Sequence, residues 1–255
     1  MTSIISLKKS NKIKPWAVIF WILVWQGLSM YIDREILLAS PLSVLNRLTY
    51  LIGQSRFWLS ILSSAGRIMT GFALATSIAI AMAIFAAKSS IIEQLLEPLM
   101  LFIKATPIVS IIILLLIWFS SRQLAIIVSF LMVMPIVYTN VLSGIKNTDV
   151  KLLEMAKVFR MPTRKKILYI YVSQVLPFFK AACLIALGLS WKSGIAAEVI
   201  GIPTGSIGAN LHQARIFLAT ADVLAWTVTI IVISTLFEHV FMFLLDQVIH
   251  RLERL

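Results

Sequence analysis

The sequence predicts an all-α integral membrane protein that crosses a bilayer six times. Three observations support this fold class: 60% of the 255 residues are hydrophobic and 13% are charged, long apolar windows recur along the chain, and the basic residues are distributed unevenly between the loops. Soluble domains are about half apolar and a quarter charged. Together with a mean hydropathy of +0.95, the composition excludes an ordinary water-soluble fold.

The spans are predicted from window length. A hydrocarbon layer about 30 Å thick is crossed by about 20 mostly apolar helical residues. Six such windows are present, at residues 16–32, 68–87, 99–119, 124–141, 175–197 and 223–245. Lys180, Lys192 and Ser193 interrupt the fifth, which predicts a span enclosed in a bundle. Pro107 and Pro135 lie inside the third and fourth, and both should kink their helices.

The domain organisation follows from these windows, because no polar stretch is long enough to bury a core of its own. We expect one transmembrane domain over residues 16–250, with short tails at residues 1–15 and 251–255. The single cysteine, Cys183, excludes a disulfide within the chain.

The net charge of +12 alone would suggest a protein that binds nucleic acid. The placement of the basic residues along the chain argues against it. Six alternating spans put both termini on one side, and most lysines and arginines of the loops fall on that side. This is the bias of cytoplasmic loops. We therefore predict a multi-pass membrane protein with both termini in the cytoplasm, in contact with lipid and not with nucleic acid.

The loop at residues 144–177 carries the most information. Asn147, Thr148 and Asp149 supply helix-capping side chains. Apolar residues then recur at i, i+3, i+4 and i+7, which predicts a short amphipathic helix; they are Leu152, Met155, Ala156 and Phe159. An apolar stripe outside the membrane needs a partner to cover it.

A second helix begins near Pro162 and carries three basic residues in its first turn, at positions 164–166. Cations oppose the macrodipole at a helix N-terminus, so they do not serve the helix itself. They either hold the loop in the cytoplasm or form part of a docking surface, and the apolar stripe favours docking.

This loop resembles the signature loop of binding-protein-dependent ABC importer permeases. The family pattern has a Glu-Ala-Ala start, a glycine six residues after the glutamate, and a later Leu-Pro. The matching residues here are Glu154, Met155, Ala156, Leu176 and Pro177. The chain departs from the pattern at two positions: Arg160 occupies the glycine position, and Ser173 stands where a proline is usual.

The resemblance extends from about residue 57 to the C-terminus, toward the sulfonate, taurine, nitrate and bicarbonate branch. The segments that match, in order, are Arg67-Ile68 with Gly71-Phe72, Lys104-Ala-Thr-Pro107, Leu187-Gly188-Leu189-Ser190-Trp191, Ala197-Glu198 and Gly205-Ser206-Ile207-Gly208. The resemblance implies the fold of type I importer permeases, with a cytoplasmic coupling helix, and a location in the prokaryotic cytoplasmic (inner) membrane.

The resemblance also implies partners: a homodimer of permease subunits, two ABC ATPase subunits and an extracytoplasmic binding protein. The chain has no Gly-x-x-x-x-Gly-Lys-Ser/Thr loop, so ATP and Mg are expected in the partner ATPase. We predict no catalytic residue, cofactor or metal in this chain. The implied cargo is a sulfonate- or nitrate-like anion or another small organic nutrient.

Two sets of residues are assigned to this function. The first should couple the chain to the ATPase and comprises Leu152, Glu154, Met155, Ala156, Phe159, Arg160 and Arg164. The second should line the translocation pathway and comprises Lys104, Pro107, Ser190, Lys192 and Glu198. For Lys192 and Glu198 the alternative is a snorkelling lysine and an interfacial glutamate.

Two other functions remain as alternatives. An ion-coupled secondary transporter also fits six spans, although such proteins usually carry carboxylates near the midplane. An intramembrane serine protease would need Ser190 and His239 to meet; Gly-x-Ser alone is a weak motif.

Overall fold

The computed structural model describes residues 14–253, with the side chains of residues 14–249. Most of the predicted N-terminal tail and the last two residues lie outside the described chain. The described chain is helical and contains no strand. Its elements are α1 (Pro15–Ile32), α2 (Pro41–Ile52), α3 (Ser55–Lys88), α4 (Ser90–Ala105), α5 (Ile108–Trp118), α6 (Ser121–Lys146), α7 (Val150–Val158), α8 (Thr163–Lys166), a π-helix (Ile167–Val172), α9 (Ser173–Gly201), α10 (Ile207–Ile216) and α11 (Thr220–Glu253).

Five continuous helical segments are long and apolar enough to cross a membrane, and α4 with α5 forms a sixth when the bent pair is taken as one span. The all-α membrane fold class is therefore confirmed. Five predicted windows lie within α1, α3, α6, α9 and α11. α3 begins well before its predicted window, at Ser55.

The third span differs from its prediction. Instead of one kinked helix over residues 99–119, α4 begins at Ser90, and the chain bends by 104° between α4 and α5. The cause is Pro107, which lacks a backbone donor and disfavours the helical region for the residue before it. Thr106 is accordingly extended, with φ −76° and ψ 129°. Pro135, by contrast, lies inside α6, which continues to Lys146.

The core of the molecule is formed by α3, α6 and α9, with α6 packed against both neighbours. Small side chains allow this approach: Ala75, Ala79 and Ala83 of α3 are fully buried. At Gly71, an added Cβ would lie 2.3 Å from the carbonyl oxygen of Ile126 in α6. Close backbone approach through small residues is the usual way in which membrane helices associate.

The connection after α1 contains a helix that the periodicity did not predict. Ser40 caps α2 by accepting a hydrogen bond from the Ser43 N–H at 3.1 Å, and Pro41 provides the first helical residue. Arg47 of α2 forms an ion pair with Asp222 of α11, and hydrogen bonding to that carboxylate raises the pKa of Arg47. The Thr220 hydroxyl donates to the carbonyl of Ile36 at 2.5 Å. These contacts hold α2 and the loop before it to the start of α11.

Candidate functional sites

The loop between α6 and α9 forms a separate surface at one end of the bundle. Asp149 caps α7 by accepting a hydrogen bond from the Lys151 N–H at 2.9 Å. The helix ends when the Met161 N–H donates to the carbonyl of Ala156 at 2.8 Å, and Arg160 has a positive φ of 47°. The backbone therefore makes a glycine-like turn at the family's glycine position, with an arginine in place.

The predicted apolar stripe of α7 divides between two faces. Ala156 is buried at 2% exposure and Leu152 is half-buried, so these two pack at least partly against the chain. Phe159 is 76% exposed and Met155 is 43% exposed. The stripe divides because α7 lies between the bundle and the outside, so one side of its apolar face packs against the chain and the other side is exposed.

The exposed apolar surface of α7 includes two residues that the stripe omitted. Val158 is 78% exposed and Val150 is 64% exposed. The charged coupling candidates Glu154, Arg160 and Arg164 are also exposed. A cavity of about 530 Å³ between α7 and α8 is lined by residues of both helices and of the turn that joins them, among them Leu153, Glu154, Lys157, Arg160 and Lys166.

The connection from this surface into the membrane is one long helical segment. The chain is helical from Thr163 to Gly201, and it passes through the π-helix directly before Ser173. Pro177 lies inside α9, so Leu176 and Pro177 are part of the helix. A movement of α7 can reach α9 through the turn at residues 159–162, after which the chain is helical to Gly201.

A buried polar cluster joins α3, α9 and the start of α10. Glu198 is fully buried, and one carboxylate oxygen accepts hydrogen bonds from the Ser64 hydroxyl at 2.7 Å and the Gly208 N–H at 3.2 Å. Its other oxygen lies 3.3 Å from a guanidinium nitrogen of Arg67. Ser64 also accepts a hydrogen bond from the Ile207 N–H at 2.9 Å. The first amides of α10 are thus satisfied by side chains of the core.

Among the pathway candidates, two are buried in this packing. Glu198 belongs to the cluster just described. Ser190 is fully buried; its hydroxyl donates to the Leu187 carbonyl at 2.8 Å, and its own carbonyl accepts from the Ser129 hydroxyl at 3.1 Å. The sequence reasoning did not pair Glu198 with Arg67. The available signal was that two opposite charges directly border apolar windows, Arg67 before the second and Glu198 after the fifth, where a charge usually needs a partner.

The other pathway candidates lie on the surface of the chain. Lys104 and Pro107, at the break between α4 and α5, are exposed, and so is Lys192 of α9. Neither lysine takes part in an ion pair within the described chain. They differ in this from Lys146, which pairs with Glu93, and from Lys180, which pairs with Asp246.

The residues of the protease alternative each bond to their own helix. The Ser190 hydroxyl donates to Leu187, and the His239 ring bonds to the Thr235 carbonyl at 2.8 Å. Ser190 is buried whereas His239 is exposed. The structure does not bring these two side chains into a hydrogen bond.

The opposite end of the bundle has a polar cavity of about 290 Å³ between α2, α3, α10 and α11. Its polar lining includes Gln54, Arg56, Asn210 and Gln213. Asn210 of α10 donates to the Ser60 hydroxyl of α3 at 3.1 Å, one helical turn before Ser64 of the buried cluster. The cavity wall and the cluster are therefore parts of one packing arrangement.

Comparison with known proteins shows which family model and which relatives this chain matches. Residues 75–254 match the model of the family described as binding-protein-dependent transport system inner membrane component. The chain is 25% identical to the putative aliphatic sulfonates transport permease SsuC of Bacillus subtilis (84% of this chain, 78% of the relative). It is also 25% identical to the taurine transport system permease TauC of Escherichia coli (84% and 80%). Identity to the bicarbonate transport system permease CmpB of Synechocystis is 28%, over 56% of this chain and 51% of the relative.

Proposed function

Since this chain belongs to the family of inner-membrane components of binding-protein-dependent transport systems, and is therefore a multi-pass transport permease, we propose how it is driven and what it carries. A separate ABC ATPase docks on α7 and supplies the energy, with ATP and Mg bound in that partner. The surface of α7 supports this, because Val158 and Phe159 are more than three-quarters exposed beside exposed basic residues.

Nucleotide-driven closure of two ATPase subunits would move α7, and the continuous helix from Thr163 to Gly201 would carry that movement across the membrane. The surface-exposed positions Lys104, Pro107 and Lys192 are retained as pathway residues. Because Ser190 and Glu198 are buried between helices, we assign them to packing. Two copies of the chain enclose the path, and both termini face the cytoplasm.

The cargo is a small solute delivered by an extracytoplasmic binding protein. The relatives named for aliphatic sulfonates, taurine and bicarbonate favour a sulfonate- or nitrate-like anion or another small organic nutrient. The binding protein would meet the end of the bundle that carries α2 and α10. These same relatives favour an importer over an ion-coupled carrier.

Recovery of an ATPase tests this function. A tagged chain is co-expressed with an ABC ATPase encoded beside it, and the ATPase retained on purification is measured. Phe159→Asp should weaken retention at least about tenfold, because a charge would replace an apolar contact at the centre of the surface. Phe217→Asp is the matched control, since Phe217 is 71% exposed but follows α10 at the other end.

Failure to recover any ATPase with the unaltered chain would overturn the proposal. Equal loss with both variants would also contradict it, because a general folding defect would then explain the result.

A further inference from the structure

The position of Lys192 along α9 sets its depth in the membrane. Twelve residues separate it from Lys180, which pairs with Asp246, and nine separate it from the end of α9 at Gly201; we take these two residues as the ends of the membrane-crossing stretch. At 1.5 Å per residue these intervals are about 18 Å and about 13 Å. Their sum is close to the thickness of the hydrocarbon layer, about 30 Å. Lys192 therefore lies near the middle.

Lys104 lies at a comparable distance from a charged end. Eleven residues, or about 16 Å of helix, separate it from Glu93, which pairs with Lys146 at 2.5 Å. The next hydrophobic helix begins only four residues later, at Ile108. Lys104 thus stands at the break of a span, with apolar helix on either side.

The two lysines belong to the same region of the bundle. Ile108, four residues after Lys104, and Ala196, four residues after Lys192, pack against one apolar cluster that joins α5, α6 and α9. Because residues four apart share a helix face, Lys192 lies on the α9 face that meets α5. Lys192 therefore stands beside this cluster, on its side nearer the α7 end, and Lys104 is joined to it by the short break between α4 and α5.

An exposed, unpaired ammonium group at this depth cannot face lipid at low cost. A charge in the hydrocarbon costs several kcal/mol unless water, a counter-charge or the interface is within reach. The nearer end of α9 is about 13 Å from Lys192, which exceeds the length of a lysine side chain. The ammonium group therefore cannot reach the interface by snorkelling. Two such cations in one region instead indicate a water-filled pathway whose positive potential attracts anions.

We propose that Lys104 and Lys192 form a binding point for a small anion halfway along the translocation path. The inference rests on the proposed function and narrows it in two respects: the cargo carries a negative group such as a sulfonate or a carboxylate, and the permease contributes to its selection. A cation of the same size would be repelled at this point.

A cysteine beside Lys192 tests this proposal. Gly188 precedes Lys192 by one turn, and nothing lies within 4 Å of a Cβ added there, so Gly188→Cys should fit. Cys183 is buried and is first replaced by alanine. The full chain, in membranes permeable from both faces, is then treated with two water-soluble methanethiosulfonates, one carrying an ethylsulfonate and one a trimethylammonium group.

The anionic reagent should react faster, and Lys192→Gln or Lys104→Gln should lower the anionic-to-cationic rate ratio, at least about tenfold when combined. Any effect of the lysines on the reactivity of the thiol cancels in this ratio, because both reagents attack the same thiolate. Lys88→Gln, at the exposed end of α3, should leave the ratio unchanged.

A cysteine that reacts with neither reagent would overturn the proposal, as would a ratio that both lysine variants leave unaltered. These outcomes are separate from the fate of the proposed function. If an ATPase is recovered with the chain but the anionic-to-cationic rate ratio does not respond to the lysine variants, only the anion-binding point at Lys104 and Lys192 is refuted.

Discussion

At the scale of single residues, backbone strain marks the ends of the helices. Four described residues other than glycine have positive φ: Asp33, Arg160, Ile202 and Leu218. Each follows a helix, where a left-handed residue reverses the chain. Such a conformation costs roughly 1 kcal/mol or more without glycine, so the surrounding packing must hold these turns. At Arg160 the turn keeps α7 in place although the family's glycine is missing.

Glu198 gives the first prediction at this scale. Glu198→Ala should lower the stability of the purified protein by about 3–5 kcal/mol, because the largely buried Arg67 would lose its counter-charge and the Gly208 amide of α10 would lose its acceptor. Glu198→Gln should cost less, since its amide oxygen can still accept from Ser64 and Gly208. Thermal unfolding in detergent measures both variants.

The control for this prediction is the double variant Arg67→Leu with Glu198→Gln. Removal of both charges should restore part of the stability that Glu198→Gln loses. Equal stabilities for the Ala and Gln variants would show that the carboxylate is not the acceptor that holds α10.

At the scale of elements, the position of α10 depends on contact with α9 at one glycine. A Cβ on Gly208 would lie 2.3 Å from the Cβ of Glu198, so Gly208→Ala must displace α10. We expect a loss of about 1–3 kcal/mol, as for other overpacked sites. Gly188→Ala in α9 is the matched control: nothing lies within 4 Å of its added Cβ, and it should be neutral or stabilising by up to about 1 kcal/mol. Thermal unfolding of the two variants makes the comparison, and an equal loss in both would contradict the role of the contact.

Elements that depend on local hydrophobicity were predictable from the sequence, whereas those that depend on tertiary contacts were not. The windows within α3, α6 and α11 are long apolar runs, and Pro107 predicted that the third span would not be a straight helix. The size of the bend was not predictable, because a proline removes one hydrogen bond in both a kink and a break. Likewise, Ala156 reads as part of an exposed stripe until the body of the protein is placed beneath it.

For the candidate site, the sequence identified the charges but not their environments. In the sequence, Glu198 and Lys192 have similar surroundings, because each is a single charge near the end of the fifth predicted span. The structure separates them, because Glu198 meets Arg67 from a helix more than a hundred residues earlier, while Lys192 has no ion-pair partner within the described chain. Pairing over such a sequence distance leaves no periodic signal.

At the scale of the whole molecule, charge distinguishes the two ends of the bundle. The end with α7 carries the basic loop and the ion pairs Lys146–Glu93 and Lys180–Asp246. The end with α2 and α10 carries fewer basic residues, among which Arg47 is paired with Asp222. Basic loops are retained in the cytoplasm during insertion, so this asymmetry predicts the orientation of the protein.

The predicted orientation can be measured with reporter fusions to the full chain. Alkaline phosphatase inserted after Gly205, in the turn before α10, should be active, because that enzyme folds only outside the cytoplasm. The same enzyme inserted after Arg160, behind α7, should be inactive, and green fluorescent protein at either position should give the opposite pattern. Replacing the basic residues at positions 164–166 with glutamine should weaken the asymmetry, since the positive charge near a span directs its insertion. Phosphatase activity after Arg160 in the unaltered chain would invert the topology and would place α7 beyond the reach of a cytoplasmic ATPase.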